Sequence, residues 1–244
     1  MDAAFRNTRR TGLAVFRAIA VALLIAGCST YIGTTSGSFL RQVRTNPDPN
    51  IRYIAYAKLG QASAYETEKQ KSEAIETLTA KYAEGREPVA IRAIIVRSLG
   101  NLGDPRARTL AIKAANDSEA IIRLEGCRAL GKVGKPEDAT ILARIMTVDT
   151  LEDCRIAAIE GLGSLKVQDP RIIQILLDGM EHDDPAIRLE CLASLRKITR
   201  KDFGTEAAAW RRELQPSPAG APAGGDQNRP TAPTVSSTSH GPHS

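Results

Sequence analysis

Ala120-Ile121-Ile122-Arg123-Leu124-Glu125-Gly126-Cys127-Arg128-Ala129-Leu130-Gly131 is the stretch that decides the fold. Ile122, Gly126, Cys127 and Leu130 share one face of a helix, the spacing of a stripe turned toward a core. The pattern recurs. Ile51-Arg52 is followed by Ala55, Leu59 and Gly60, and Ile91-Arg92 by Ile95, Leu99 and Gly100. Cys154-Arg155 is followed by Ala158, Leu162 and Gly163, and Ile187-Arg188 by Cys191 and Leu195, with Arg196 in place of the glycine. The arginines lie 40, 31, 32 and 33 residues apart, a period in the range of two-helix repeats.

The residue three after the arginine is small in four of the five units, which permits a neighbouring helix to come close. The glycine after the leucine suits a left-handed helix C-cap. Asp48-Pro49 and Asp184-Pro185 supply an N-cap and a first-turn proline for the arginine-bearing helix; Asp104-Pro105 and Asp169-Pro170 do so for its partner. Partner helices are expected near 37–44, 68–84, 105–115, 136–147 and 169–180. The second unit departs from the rest, with a long charged first helix up to Glu84 and Pro88 one position off. Ile198 to Leu214 reads as a cap, with a helix starting near Thr205 and Trp210 packing with Phe203 over the open end. The expected fold is all-α: an α-solenoid of about five helix pairs with a C-terminal capping helix.

Asp-Pro-x-Ile-Arg, a small residue and Leu-Gly resemble HEAT and HEAT-like repeats, also called phycobilisome-lyase-type repeats, over about residues 37–200. The resemblance implies that Arg52, Arg92, Arg123, Arg155 and Arg188 form a structural ladder between repeats. The helical wheel agrees, because each arginine sits at the seam, where its fork can bond an acceptor in the adjoining turn.

Outside the repeats the sequence changes character. Arg6, Arg9, Arg10 and Arg17 precede an apolar run, Ala18 to Ala26, too short to span a bilayer as a helix. Leu24-Ile25-Ala26-Gly27-Cys28 resembles the bacterial lipobox, which implies cleavage before Cys28 and its acylation. The expected division is a lipoprotein signal over 1–27, a flexible tether over 28–36, the solenoid with its cap over 37–214, and a tail over 215–244. The tail is rich in Pro, Gly, Ala, Ser and Thr and is expected to be disordered. The expected location is a bacterial cell envelope: the outer membrane or periplasmic side if the cell is Gram-negative.

Composition bounds function. Of 33 basic and 28 acidic residues, four arginines and Asp2 lie in the expected signal, which leaves +2. No basic stripe argues for nucleic acid. Cys127, Cys154 and Cys191 match no zinc spacing and take repeat-core positions, where cysteine acts as a small hydrophobe. The three histidines are His182, in a loop, and His240 and His243, in the tail. No catalytic motif, cofactor site or metal site is legible, so the chain is expected not to be an enzyme and to take no small-molecule substrate. Positions two and five after the arginines point away from the helix's own stripe and make the candidate partner surface: Ile54, Ile94, Arg97, Glu125, Arg128, Glu160 and Glu190. The expected function is a lipid-anchored scaffold or adaptor binding another protein. The alternatives are a bilin lyase or isomerase-like protein, implied by the resemblance, and a purely structural envelope lipoprotein.

Overall fold

The computed structural model describes residues 32–214, and every element of regular structure among them is helical. The helices form five pairs and a cap. The pairs are α1 (Ser36–Thr45) with α2 (Pro49–Leu59), α3 (Glu68–Glu84) with α4 (Val89–Leu102), and α5 (Arg108–Ala115) with α6 (Ala120–Val133). They continue with α7 (Ala139–Val148) and α8 (Glu152–Leu165), then α9 (Pro170–Gly179) and α10 (Pro185–Thr199); α11 (Ala207–Leu214) closes the array. Single 3₁₀ turns, Pro105–Ala107 and Pro136–Asp138, lead into α5 and α7. The expected α-solenoid of five pairs with a C-terminal cap is the observed architecture.

Helix starts follow the local chemistry. The side chains of Asp48, Asp169 and Asp184 accept the backbone N–H two residues on, at 2.8, 2.7 and 2.7 Å, with proline at the next position. Each such cap is worth about 1 kcal/mol. Thr35 caps α1 and Ile32 lies half-buried against the core. Cys28, the expected signal and the first four residues of the tether, 28–31, lie outside the described residues, as does the expected tail with His240 and His243.

The second helices α2, α4, α6, α8 and α10 stack side by side, and the glycines explain how closely. A Cβ added at Gly60 would lie 2.6 Å from Ser98 Oγ, at Gly100 2.8 Å from Ala129 Cα, at Gly131 2.6 Å from Gly161 Cα, and at Gly163 2.5 Å from Ser194 Oγ. In every case the glycine eight residues after the repeat arginine meets the small residue six after the next one. The left-handed C-cap expected of these glycines is therefore corrected. Gly100, Gly131 and Gly163 are inside their helices and serve helix–helix contact; the left-handed residue ending α4 is Gly103, with φ +66°. Ser98 and Ser194 also reinforce the seam, their hydroxyls donating to Tyr56 O and Ile159 O at 2.9 and 2.8 Å. Arg196 stands at the glycine position of the fifth unit, and among the described residues no further second helix faces it.

The core is aliphatic, including Leu59, Ile95, Leu99, Ile122, Leu130 and Leu142, all almost fully buried. Cys127, Cys154 and Cys191 are buried within it as free thiols. Trp210 is fully buried, edge-on to Phe203 with ring centroids 5.0 Å apart, and its indole N–H donates to Gly204 O at 2.9 Å. It therefore caps the last pair and is not an exposed binding residue. Among the described residues no helix is long and apolar enough to cross a membrane.

Candidate interaction surface

The five arginines lie near the start of the second helices, where each helix follows its loop. Arg52 and Arg123 use their forks in two directions, Arg188 only backward and Arg92 only forward. Backward, Nη1 of Arg52 donates to Asn46 O and Pro47 O, both at 2.9 Å; Arg123 Nη1 holds Asp117 O and Ser118 O, and Arg188 Nη1 holds His182 O and Asp183 O. Forward, the arginine reaches the loop of the next pair. Arg52 bonds Glu87 at 2.9 to 3.3 Å, Arg92 bonds Asp117 at 2.9 Å, and Arg123 bonds Asp149 at 2.8 and 3.2 Å. Charge-assisted bonds of this kind are the strong ones, and these sit in largely buried seams.

The acceptors do a second job. Asp117 Oδ1 accepts the Glu119 N–H and Asp149 Oδ1 the Leu151 N–H, each at 3.0 Å, so one carboxylate shapes its loop and receives the preceding arginine. The Arg123 guanidinium and the Leu151 N–H hold the Asp149 carboxyl below the usual carboxylate range. In the last seam the same position, six residues before the repeat arginine, is His182. Its Nδ1 accepts the Asp184 N–H at 3.0 Å and its Nε2 lies 3.4 Å from Arg155 Nη1. Sequence reasoning placed His182 merely in a loop. Aligning the position six before the arginine in the first, third, fourth and fifth units, Asn46, Asp117, Asp149 and His182, was the signal that would have found its role; in the second unit Arg86 stands there and the acceptor, Glu87, is one residue later.

The structure divides the residues proposed for partner contact. Ile54 is 41% exposed, but Ile94 is 5% exposed and the Glu125 carboxylate is buried. Those two are corrected: in the middle of the stack both flanks of a second helix are covered by its neighbours, so the buried stripe is wider than one helical wheel implies. Arg97, Glu125, Arg128 and Glu160 come together as a chain of ion pairs across α4, α6 and α8. Arg97 bonds Glu125, and Arg128 lies 3.7 Å from Glu125 and 3.0 Å from Glu160. Glu190 stands apart, 3.6 Å from Lys197 on its own helix.

Apart from Ile54, reading by helical wheel missed a different surface. Tyr53 and Ile54 on α2, Val89 on α4, Ile121 on α6, Leu151 just before α8 and Leu189 on α10 are the exposed large apolar side chains at the N-terminal ends of the second helices. The glycine contacts join C-terminal half to C-terminal half, so these helices run parallel and the exposed residues recur along one edge. Ile121 and Leu151 share a groove with Ala120 and Leu124, of about 680 Å³. The signal available in sequence was an apolar residue outside the core stripe in every unit.

Burial pushes the Cys127 and Cys191 thiols up to about 12 and raises that of Cys154, so all three remain protonated packing groups. Among the described residues no group of three or more His, Cys, Asp or Glu is placed to hold a metal ion.

A sequence model of HEAT repeats matches residues 75–163. No curated protein matches the chain. Among solved structures the chain is similar to the complex of CpcE and CpcF of phycocyanin lyase from Nostoc sp. PCC7120, at 18% identity and a TM-score of 0.56, covering 69% of this chain and 66% of that one. It is also similar to an engineered protein, at 16% identity and a TM-score of 0.50, covering 73% of this chain and 86% of that one. At such identity the likeness is one of fold. It nevertheless corrects the expectation that the chain is not an enzyme. The same helical architecture occurs in a lyase complex, so the lack of a legible catalytic motif excludes nothing.

Proposed function

We propose that this HEAT-repeat solenoid binds another protein along the N-terminal edge of its second helices, and that Cys28 anchors it by lipid in a bacterial envelope. The observation that carries the first part is the row of exposed apolar side chains, above all Ile121 and Leu151 beside their groove. An apolar patch of this kind on a stable fold marks an interaction site, and aliphatic anchors in a groove supply binding energy that rim charges do not. The ion-pair chain from Arg97 to Glu160 lies on the same helices and fits a polar rim. The likeness to the CpcE–CpcF complex is compatible with a protein partner. The anchor rests on the basic region, the apolar run and Leu24 to Cys28.

The test is co-purification from membranes of the full chain, wild type against Ile121→Glu with Leu151→Glu. Both positions are exposed, so the variant is expected to fold and to lose its partner by tenfold or more, roughly 1.4 kcal/mol. Unchanged recovery would remove the edge from consideration. The anchor is checked separately by the mass of the mature N-terminus, wild type against Cys28→Ala; an unacylated chain would refute it. A lyase-like role is the second reading, favoured by the phycocyanin lyase complex among the similar structures. Visible absorbance of a chromophore on the purified chain is its signature.

A further inference from the structure

The last seam breaks the rule of the others. Arg52, Arg92 and Arg123 each meet a carboxylate in the next loop, whereas Arg155 meets His182. His182 Nδ1 is occupied as an acceptor by the Asp184 N–H. A neutral imidazole with an accepting Nδ1 carries its proton on Nε2. Nε2–H and Arg155 Nη1–H are then two donors facing each other at 3.4 Å with no acceptor between them. Arg155 Nε is also buried without a partner. Arg92 Nε shares that condition, but Arg92 Nη2 has Asp117 at 2.9 Å. The nearest carboxylate to Arg155 is Glu152, 3.7 Å away and largely exposed, a pairing worth little.

A cavity of about 300 Å³ opens beside these donors. Met146, Ile175 and Ile187 give it an apolar wall, and Thr147, Arg155 and His182 a polar one. Asp178 is the one acid in the lining, and its carboxylate already accepts from Arg211 and Gln174, at 3.1 and 2.8 Å. Neither Glu152 nor Asp184 lines it. One repeat earlier a cavity of about 320 Å³ sits in the corresponding place beside Arg123, and there Asp149 supplies the acceptor from within the chain.

The geometry points to a ligand site in the last seam that takes a carboxylate with a short aliphatic chain. Its oxygens accept from His182 Nε2 and Arg155 Nη1, and its chain lies against Met146, Ile175 and Ile187. The site does for Arg155 with a bound anion what Asp149 does for Arg123 with a side chain. It is independent of the protein-binding edge, which could fail without affecting it. The carboxylate has two sources, a free acid or a Glu side chain of a bound protein.

The test uses the full chain and three probes: butyrate, butyramide and the blocked tripeptide acetyl-Ala-Glu-Ala-amide. Binding is read by calorimetry and by shifts of the His182 imidazole signals, assigned by their loss in His182→Asp. Butyrate is expected to bind at least about tenfold more tightly than its isosteric amide, since charge-assisted bonds distinguish the two. His182→Asp, which rebuilds the acceptor found in the preceding seam and so should fold, is expected to abolish carboxylate binding. Arg155→Gln is expected to weaken it by a similar factor. Tighter binding of the peptide than of butyrate assigns the source to a protein side chain, and the reverse to a free acid; either supports the site. Equal binding of butyrate and butyramide, or butyrate binding unchanged in His182→Asp, overturns it.

Discussion

The seam between the third and fourth helix pairs and the seam between the fourth and fifth share a scaffold and differ at the loop position that faces the arginine. In the first, Arg123 lies between its own loop carbonyls and the Asp149 carboxylate, and every direction of the fork finds an acceptor. In the second, Arg155 has His182 where the carboxylate would be, and one nitrogen is left without a partner. The comparison separates two tasks. Stacking of second helices needs only small residues at the contact, and Gly163 against Ser194 serves as well as Gly131 against Gly161. Fixing the loop of one pair to the arginine of the preceding one needs a loop acceptor, and the last seam lacks a charged one.

Removing the arginines should expose this difference most strongly. Arg123→Ala leaves the largely buried Asp149 carboxylate without its cation, so a loss of about 3 kcal/mol is expected, against about 1 kcal/mol for Arg155→Ala, both read from denaturant midpoints. Equal losses would erase the distinction between the seams. The stacking half is tested by Gly131→Ala, whose Cβ would lie 2.6 Å from backbone. A net loss of about 2 kcal/mol is expected despite alanine's better helix propensity, while Arg196→Ala, with no facing helix, should change stability by no more than about 0.5 kcal/mol. If Gly131→Ala stabilises, the close-contact account of these glycines is wrong.

His182→Asp should go the other way, gaining about 1 kcal/mol by giving Arg155 a carboxylate in the arrangement that Asp149 shows. A lower melting temperature would mean that the seam prefers imidazole. The smallest expected effect is on the acid limb of stability. The Asp149 carboxyl is held below the usual carboxylate range by Arg123, so its contribution is present above that range and is lost as pH falls through the lowered folded value. Asp138, held by Arg108 and the Lys135 N–H, has the same sign. Asp149→Asn should therefore flatten the acid limb, and His182→Asp should steepen it.

Much of this was legible in the chain. Ile122, Leu130 and their counterparts gave the period, and the Asp-Pro pairs gave helix starts that the structure reproduces at Asp48, Asp169 and Asp184. What was not legible depended on neighbours in space. A Leu-Gly at a helix end has the same spelling whether the glycine turns the chain or admits another helix, and only the facing residue decides. Ile94 and Glu125 read as outward on one helical wheel and are covered because a stack has two flanks. His182 was misjudged because its partner lies 27 residues away. The exposed edge from Tyr53 to Leu189 escaped, Ile54 excepted, because its members hold different offsets from the arginine in different units. Exclusion of catalysis failed for another reason: the absence of a motif carries little weight for a fold also found in a lyase complex.

The most direct test of the proposed binding edge is site-specific photocrosslinking of the full chain in its own membranes. The crosslinking residue is placed at Ile121, Leu151 or Leu189 on the edge, or at Lys113 or Arg171, which are exposed on first helices. Adducts to a common protein from the three edge positions, with none from the two first-helix positions, are expected. Adducts from Lys113 and Arg171 with none from the edge would contradict the account and move the partner to the other face of the solenoid.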